Sequence, residues 1–237
     1  MRTRMPRTTT TAALTCAALL TAAATACGPD SADAAPETTA SATAHDPLAG
    51  RDPAAVLRAA YEETERADSK TAVISRRIGA REITAKLTFE GDGGSCYGEV
   101  KVNRHGTGEI LVDDSKVSLR GDYDFLQDQF RDLPAKSPDT EDGWIDLRPG
   151  DPSVAHLLTL CKDGSPASTF PADRTGLHRG PDTYLNARPV AVLLSKAPDG
   201  TEITDHVYLD GKPYLLAHWE NGQTPRSVEY KNVQQTG

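Results

Sequence analysis

The stretch ITAKLTFEGDGGSCYGEVKVNRHGTGEILV, residues 83–112, decides the fold class. Ile83, Ala85, Leu87 and Phe89 alternate with Thr84, Lys86, Thr88 and Glu90. This period of two puts apolar groups on one face of a strand and polar groups on the other. Residues 91–94, three of them glycine, turn the chain. Cys96, Gly98, Val100 and Val102 then repeat the alternation against Tyr97, Glu99 and Lys101, and Gly106 turns the chain into Gly108, Ile110 and Val112. Asp113 and Asp114 precede Val117 and Leu119, and Gly121 ends that run. Strands spaced by about ten residues with turn signals between them predict an antiparallel meander.

A second block of strands follows downstream. Thr183 opens it. Val190, Ala191, Val192, Leu193 and Leu194 are apolar at every position, as expected of a central strand buried on both faces. Asp199 and Gly200 turn into 203–209, and Asp210-Gly211 between two apolar runs reads as a hairpin. Asn221-Gly222 marks another turn, and 227–233 closes the sheet. Between the two blocks, Phe125, Leu126, Gln129, Phe130 and Leu133 recur at helical spacing within 123–133. Asp151-Pro152-Ser153 opens another helix with Val154, Leu157, Leu158 and Cys161 on one face, after which Pro166 and Pro171 prevent regular structure. Before the first strands, Asp52 as N-cap and Pro53 at the first position start a helix carrying Val56, Leu57, Ala60, Tyr61 and Thr64 on one side.

The chain begins with a leader. Arg2, Arg4 and Arg7 precede an Ala- and Thr-rich apolar run that ends in Ala24-Thr25-Ala26-Cys27. A basic start, a short apolar run and small residues describe a secretory signal peptide. The four residues resemble a bacterial lipobox, whose cysteine takes a diacylglycerol and becomes the mature N-terminus, although Ala24 stands where leucine is usual. The alternative is ordinary cleavage after Ala26, with Cys27 incidental. The expected organisation is a signal peptide over 1–26, a disordered tether over 27–49 and one domain over 50–237. The tether expectation rests on an Ala, Thr, Ser, Pro and acid composition that buries too little to offset ordering. The expected address is the cell membrane, lipid-anchored, on its extracytoplasmic face.

Removing 1–26 takes away three arginines and no acid, so the net charge moves from −8 to −11. A surface of that sign repels phosphate backbones, which excludes nucleic acid as a partner. With Cys16 lost in the leader and Cys27 assigned to the lipid, Cys96 and Cys161 remain as an even pair in an exported chain. They read as a disulfide, with two buried free thiols as the alternative.

The order of these elements, together with 94–100, 116–122, the Gly143-Trp144 step, Leu160-Cys161 and 207–216, resembles actinobacterial lipoproteins of the LolA/LprG-like superfamily. The resemblance spans about residues 52–233. It implies an α+β fold: a curved antiparallel β half-barrel packed over helices, with a helical insert between two β meanders. It also implies the Cys96–Cys161 pairing and a role as carrier of a lipid or other apolar ligand between sheet and helices. Alternate strand residues of a half-barrel face inward. The expected lining is therefore Leu87, Phe89, Val100, Val102, Ile110, Val112, Val190, Val192 and Leu194, covered by Phe125, Phe130 and Leu157 of the insert.

No catalytic signature is present: there is no Gly-x-Ser-x-Gly elbow, no Ser-x-x-Lys and no phosphate-cradling glycine loop. No cofactor or metal is expected. His206 and His218 face each other across the Asp210-Gly211 hairpin on this reading, without enough further ligands for a metal, and the pairs Asp113-Asp114 and Asp122/Asp124 read as solvated turns. Trp144 and Trp219 read as core residues. Three functional classes follow: a lipid-anchored binder of an apolar ligand, an envelope module that engages a protein partner through its outer surface, and, without a signature to support it, an enzyme.

Overall fold

A computed structural model describes residues 46–91, 95–113, 115–130, 143–148, 150–152, 155–170 and 173–234. The leader, Cys27 and the continuation of a helix to Leu133 lie outside the described residues. In chain order the elements are α1 (Pro53–Glu65), β1 (Ser69–Ile78), β2 (Arg81–Glu90), β3 (Ser95–Val102), β4 (Gly106–Val112), β5 (Val117–Gly121), α2 (Tyr123–Gln129), β6 (Ile145–Leu147), α3 (Ala155–Gly164) and α4 (Pro166–Thr169). They continue as β7 (Thr175–Arg179), β8 (Thr183–Leu185), β9 (Arg188–Lys196), β10 (Glu202–Tyr208), β11 (Leu215–Asn221) and β12 (Arg226–Gln234).

The two meanders form one open 12-stranded sheet in the order β6-β5-β4-β3-β2-β1-β12-β11-β10-β9-β7, with β8 paired to β9. The junction is β1 with β12, which brings the two ends of the domain together in antiparallel register, Ile74 opposite Val228. The alternation of 83–112 is realised without slippage: Ile83, Ala85, Leu87 and Phe89 stand opposite Val102, Val100, Gly98 and Cys96. Register is fixed because a one-residue slip would turn this apolar set to solvent. The α+β half-barrel class is the one observed.

The helices lie on the apolar face. The Asp52 carboxylate caps α1 by accepting from Ala54 N at 3.3 Å, and Pro53 occupies the first turn. Val56, Leu57, Ala60, Tyr61 and Thr64 are its buried stripe. Thr64 Oγ1 donates to Ala60 O and accepts from Leu215 N at 2.8 Å, so α1 is hydrogen-bonded to the start of β11. Asp122 caps α2, accepting from Phe125 N and Thr107 N at 2.8 Å. Phe125 then lies on the paired glycines Gly108 and Gly121, where an added Cβ would come within 2.2 Å and 2.6 Å of its ring. α3 buries Leu157 and Leu160.

Four details differ from the sequence reading. Pro166 does not prevent structure but opens α4 at its first position, where a missing N–H costs nothing. A strand missed in the sequence, β7, precedes Thr183 and pairs with β9 through a register shift. Asp210-Gly211 sits within a loop from Leu209 to Tyr214 closed by Tyr208 N to Tyr214 O, a wider turn than a two-residue hairpin. Packing begins within the stretch assigned to the tether, since Leu48 is only 3% exposed and Asp46 pairs with Arg179 at 2.7 Å.

Candidate functional site

Most of the expected lining is where the alternation puts it. Leu87, Phe89, Val100, Val102, Ile110, Val112, Phe125 and Leu157 are buried in one contiguous core, with Phe130 packed at its margin. They fill the space between sheet and helices. At Gly164 of α3, an added Cβ would meet the Phe89 ring at 2.5 Å, a measure of how closely helix and sheet approach.

β9 is the correction. Ala191 and Leu193 belong to the core under the helices, whereas Val192 and Leu194 take the opposite parity, as does Val190, which is itself fully buried. Because β9 is apolar at both parities, its sequence does not choose a face. Its register with β10 does: Leu193 stands opposite Asp205 and Ala191 opposite Val207, while Val192 stands opposite His206 and Leu194 opposite Thr204. Asp205 contacts α1, so its side of the sheet is the inner one. Accordingly Val192→Arg costs less than about 1 kcal/mol, while Leu193→Arg costs more than about 4 kcal/mol by burying an unpaired charge. Urea denaturation of the two variants checks this pair of outcomes.

The inner face also carries a cluster of charges that the sequence reading did not find. Asp205 and His218 are opposite each other on β10 and β11, and both are 0% exposed. His218 Nδ1 lies 2.8 Å from Asp205 Oδ1, and Nε2 lies 3.0 Å from Glu220 Oε1. Tyr61 of α1 donates its O–H to Asp205 Oδ1 at 3.0 Å and accepts from Arg174 at 3.0 Å, and Arg174 pairs with Asp205 Oδ2. Arg226 of β12 donates to Glu220 at 2.6 Å and to Asp163 of α3 at 2.9 Å, and Arg76 of β1 donates to the other Asp163 oxygen at 2.9 Å. The rings of Tyr61 and Phe170 stand edge-on, 5.0 Å apart, with the Arg174 guanidinium 5.6 Å from each.

The protonation pattern follows from these contacts. Burial pushes the Asp205 carboxyl upward, but the hydrogen bond and charge of His218 and the charge of Arg174 outweigh it and hold it below its ordinary value. Burial likewise opposes charge on His218, and the hydrogen bonds to Asp205 and Glu220 reverse that, raising it. Burial also raises Glu220, yet His218 and Arg226 bring it down to about 2. Burial and then the nearby Asp205 charge raise the Tyr61 hydroxyl well above its usual range, so it remains a neutral donor. One signal in the sequence points here: Asp205 occupies the parity of Ile203 and Val207, an acid where the alternation calls for an apolar group.

His206 and His218 do not face each other. His206 stands opposite Ala217, which puts it on the other side of the sheet, where its ring packs on Trp219 at 4.3 Å. Among the described residues no group of three or more His, Cys, Asp and Glu is placed to hold a metal ion. The Asp113 carboxylate is spent locally, accepting from Ser115 and Lys116.

Neither tryptophan is a core residue. Trp144 lies on the outer face, with the Arg120 guanidinium 4.7 Å from its ring centre. With Tyr97, Leu111, Thr88, Lys86 and Glu99, it lines a cleft of about 570 Å³. Tyr97 is 43% and Leu111 37% exposed, large apolar groups at solvent-facing positions. The Arg120–Glu109 pair at 2.6 Å borders the cleft, and Lys86 stands opposite Glu99.

Cys96 and Cys161 are disulfide-bonded, Cα to Cα 6.0 Å. The bond ties the inner face of β3 to α3. No candidate span among the described helices is long and apolar enough to cross a membrane.

No protein-family model matches the sequence, and no curated protein does. Solved structures do. The lipoprotein LppX of Mycobacterium tuberculosis superposes with a TM-score of 0.54 at 13% identity, over 78% of this chain and 98% of that one. LprF of Mycobacterium bovis superposes with a TM-score of 0.50 at 12% identity, over 78% of this chain and 94% of that one. At such identities the likeness is one of fold. The chain has the fold of these two lipoproteins, an open antiparallel half-barrel sheet covered by helices.

Proposed function

We propose that this chain is a non-catalytic module of the cell envelope, held at the extracytoplasmic face by a diacylglyceryl group on Cys27, which acts by contacts through the outer face of its sheet. One observation carries the reading. The inner face is packed with the domain's own side chains, whereas the outer face presents Trp144, Tyr97 and Leu111 around an open cleft. Exposed apolar groups gathered on one face are characteristic of surfaces that meet a partner. The basic leader and the residues before Cys27 support the address. With a photo-crosslinking residue at position 111 in the cells that make the protein, ultraviolet light yields a discrete adduct, and the same residue at Val192, on the same face but on β9 many strands away from the cleft, does not. Cys27→Ser moves the protein from membranes to medium. No adduct at 111, together with acyl lipid co-purifying with the full chain in native mass spectrometry, would replace this reading with the second one.

The second reading is a carrier of an acyl lipid. A different observation favours it: the inner face is apolar from β5 across to β2, and the layer over the sheet consists of short helices held by the disulfide, the charge cluster and the Thr64–Leu215 hydrogen bond. Lifting that layer would expose a surface suited to an acyl chain, each buried methylene contributing roughly 0.8 kcal/mol.

A further inference from the structure

His218 sits at the midpoint of a chain of polar contacts that runs from one helix of the cover, through the sheet, to another. On one side its Nδ1 meets Asp205, which holds Tyr61 of α1 and Arg174 ahead of β7. On the other its Nε2 meets Glu220, which holds Arg226, which holds Asp163 of α3, itself also held by Arg76 of β1. Both ring nitrogens therefore face carboxylate oxygens. A neutral imidazole has one N–H and can donate to only one of them. Its other nitrogen would point a lone pair at an anionic oxygen, 2.8 Å or 3.0 Å away, in a site where the ring is 0% exposed.

We propose that His218 is a buried imidazolium that clasps the helical layer to the sheet and loosens it on losing its proton. Loss from Nδ1 leaves the Tyr61 O–H as a donor shared between two acceptors, Asp205 and the bare nitrogen, and weakens the tie to α1. Loss from Nε2 leaves Glu220 with Arg226 alone and weakens the tie to α3. Either loss cuts the chain of contacts on one side of the ring. The charged groups around the ring are Asp205, Glu220, Arg174, Arg226, Asp163 and Arg76, with Tyr61 neutral. Three carboxylates thus meet three guanidinium groups, and the imidazolium adds one charge that the two carboxylates touching it stabilise.

The direction in pH follows. His218 is raised in the fold, so its contribution is complete below the free-imidazole value of about 6.5 and is lost as pH rises through the folded value. Asp205 and Glu220 are lowered, so theirs is complete above about 4.5 and is lost only on strong acidification. The cover is tightest between about pH 4.5 and 6.5 and opens on the alkaline side.

The test uses the full chain with ¹⁵N-labelled histidine. At pH 6.5 the His218 nitrogens carry the paired shifts of an imidazolium, and they titrate above the free-imidazole range. In parallel, hydrogen exchange corrected for intrinsic rate shows protection of the α1 and α3 peptides falling at least tenfold between pH 6.5 and 9.5, while the β2–β3 peptides hold. Glu220→Gln moves that fall to lower pH by removing one of the two carboxylates. His218→Gln has the weakened protection already at pH 6.5, and should that variant not fold, the wild-type titration and Glu220→Gln still decide. A neutral His218 at pH 6.5, protection that does not change with pH, or a loss shared equally by all peptides would each overturn the clasp.

Discussion

Asp205→Ala destabilises the domain by about 3–5 kcal/mol, the cost of removing one partner from a buried ion pair. Asp205 lies fully inside, and three groups depend on it: the Arg174 guanidinium, the His218 imidazole and the Tyr61 hydroxyl. Alanine leaves Arg174 as an uncompensated buried charge and strips His218 of one of its two acceptors. Asp205→Asn keeps the volume but not the charge and loses most of the same energy, which separates the electrostatic part from the cavity. The exposed pair Arg120–Glu109 is the control: both side chains are about half exposed, so Glu109→Gln leaves the denaturation midpoint within error. Equilibrium unfolding in urea at pH 6 measures all three. A loss below about 1 kcal/mol for Asp205→Ala would mean that the cluster is hydrated rather than sealed by the helices over it.

Removing the disulfide has the second large effect. Cys96 and Cys161 close a loop with a sequence separation of 65. On the loop-entropy account such a bond stabilises the fold by about 4 kcal/mol. Replacing both cysteines with serine therefore lowers the urea midpoint by more than any single exposed substitution. The loss is local as well as global: α3 loses its covalent tie to β3, and its amides exchange faster than those of α1. Proteolysis of the reduced protein checks the same point, with first cleavage expected around the insert rather than in β1 or β12. Uniform loss across the sheet would show that the bond supports the whole fold and not the insert in particular.

These outcomes bear on the two functional readings differently. If the cover is as firmly held as the cluster and disulfide imply, the interior behaves as a core and the outer cleft at Trp144 is the working surface. If a modest alkaline shift frees α1 and α3, the same interior becomes an apolar surface that opens on demand.

The sequence by itself determined the strand set of the first meander, the α+β class, the cap of α1 at Asp52 and the candidacy of Cys96 and Cys161 for each other. These are local properties: alternation, turn residues, a capping side chain and an even cysteine count are each written within a few residues or a simple tally. Only the tertiary structure decided which face of β9 looks inward, because a run of five apolar residues satisfies both parities and hydrogen-bond register with β10 makes the choice. It alone separated His206 from His218 onto opposite faces, since their relation depends on a bulge between His206 and Val207 in the β10–β11 pairing. It alone assembled Tyr61, Asp163, Arg174, Asp205 and His218, which come from α1, α3, the segment before β7, and two strands. No spacing in the chain encodes that meeting. Charges so distant in sequence become partners only when the sheet brings β1 beside β12 and the cover folds down over it, and their energy depends on the burial that the fold creates.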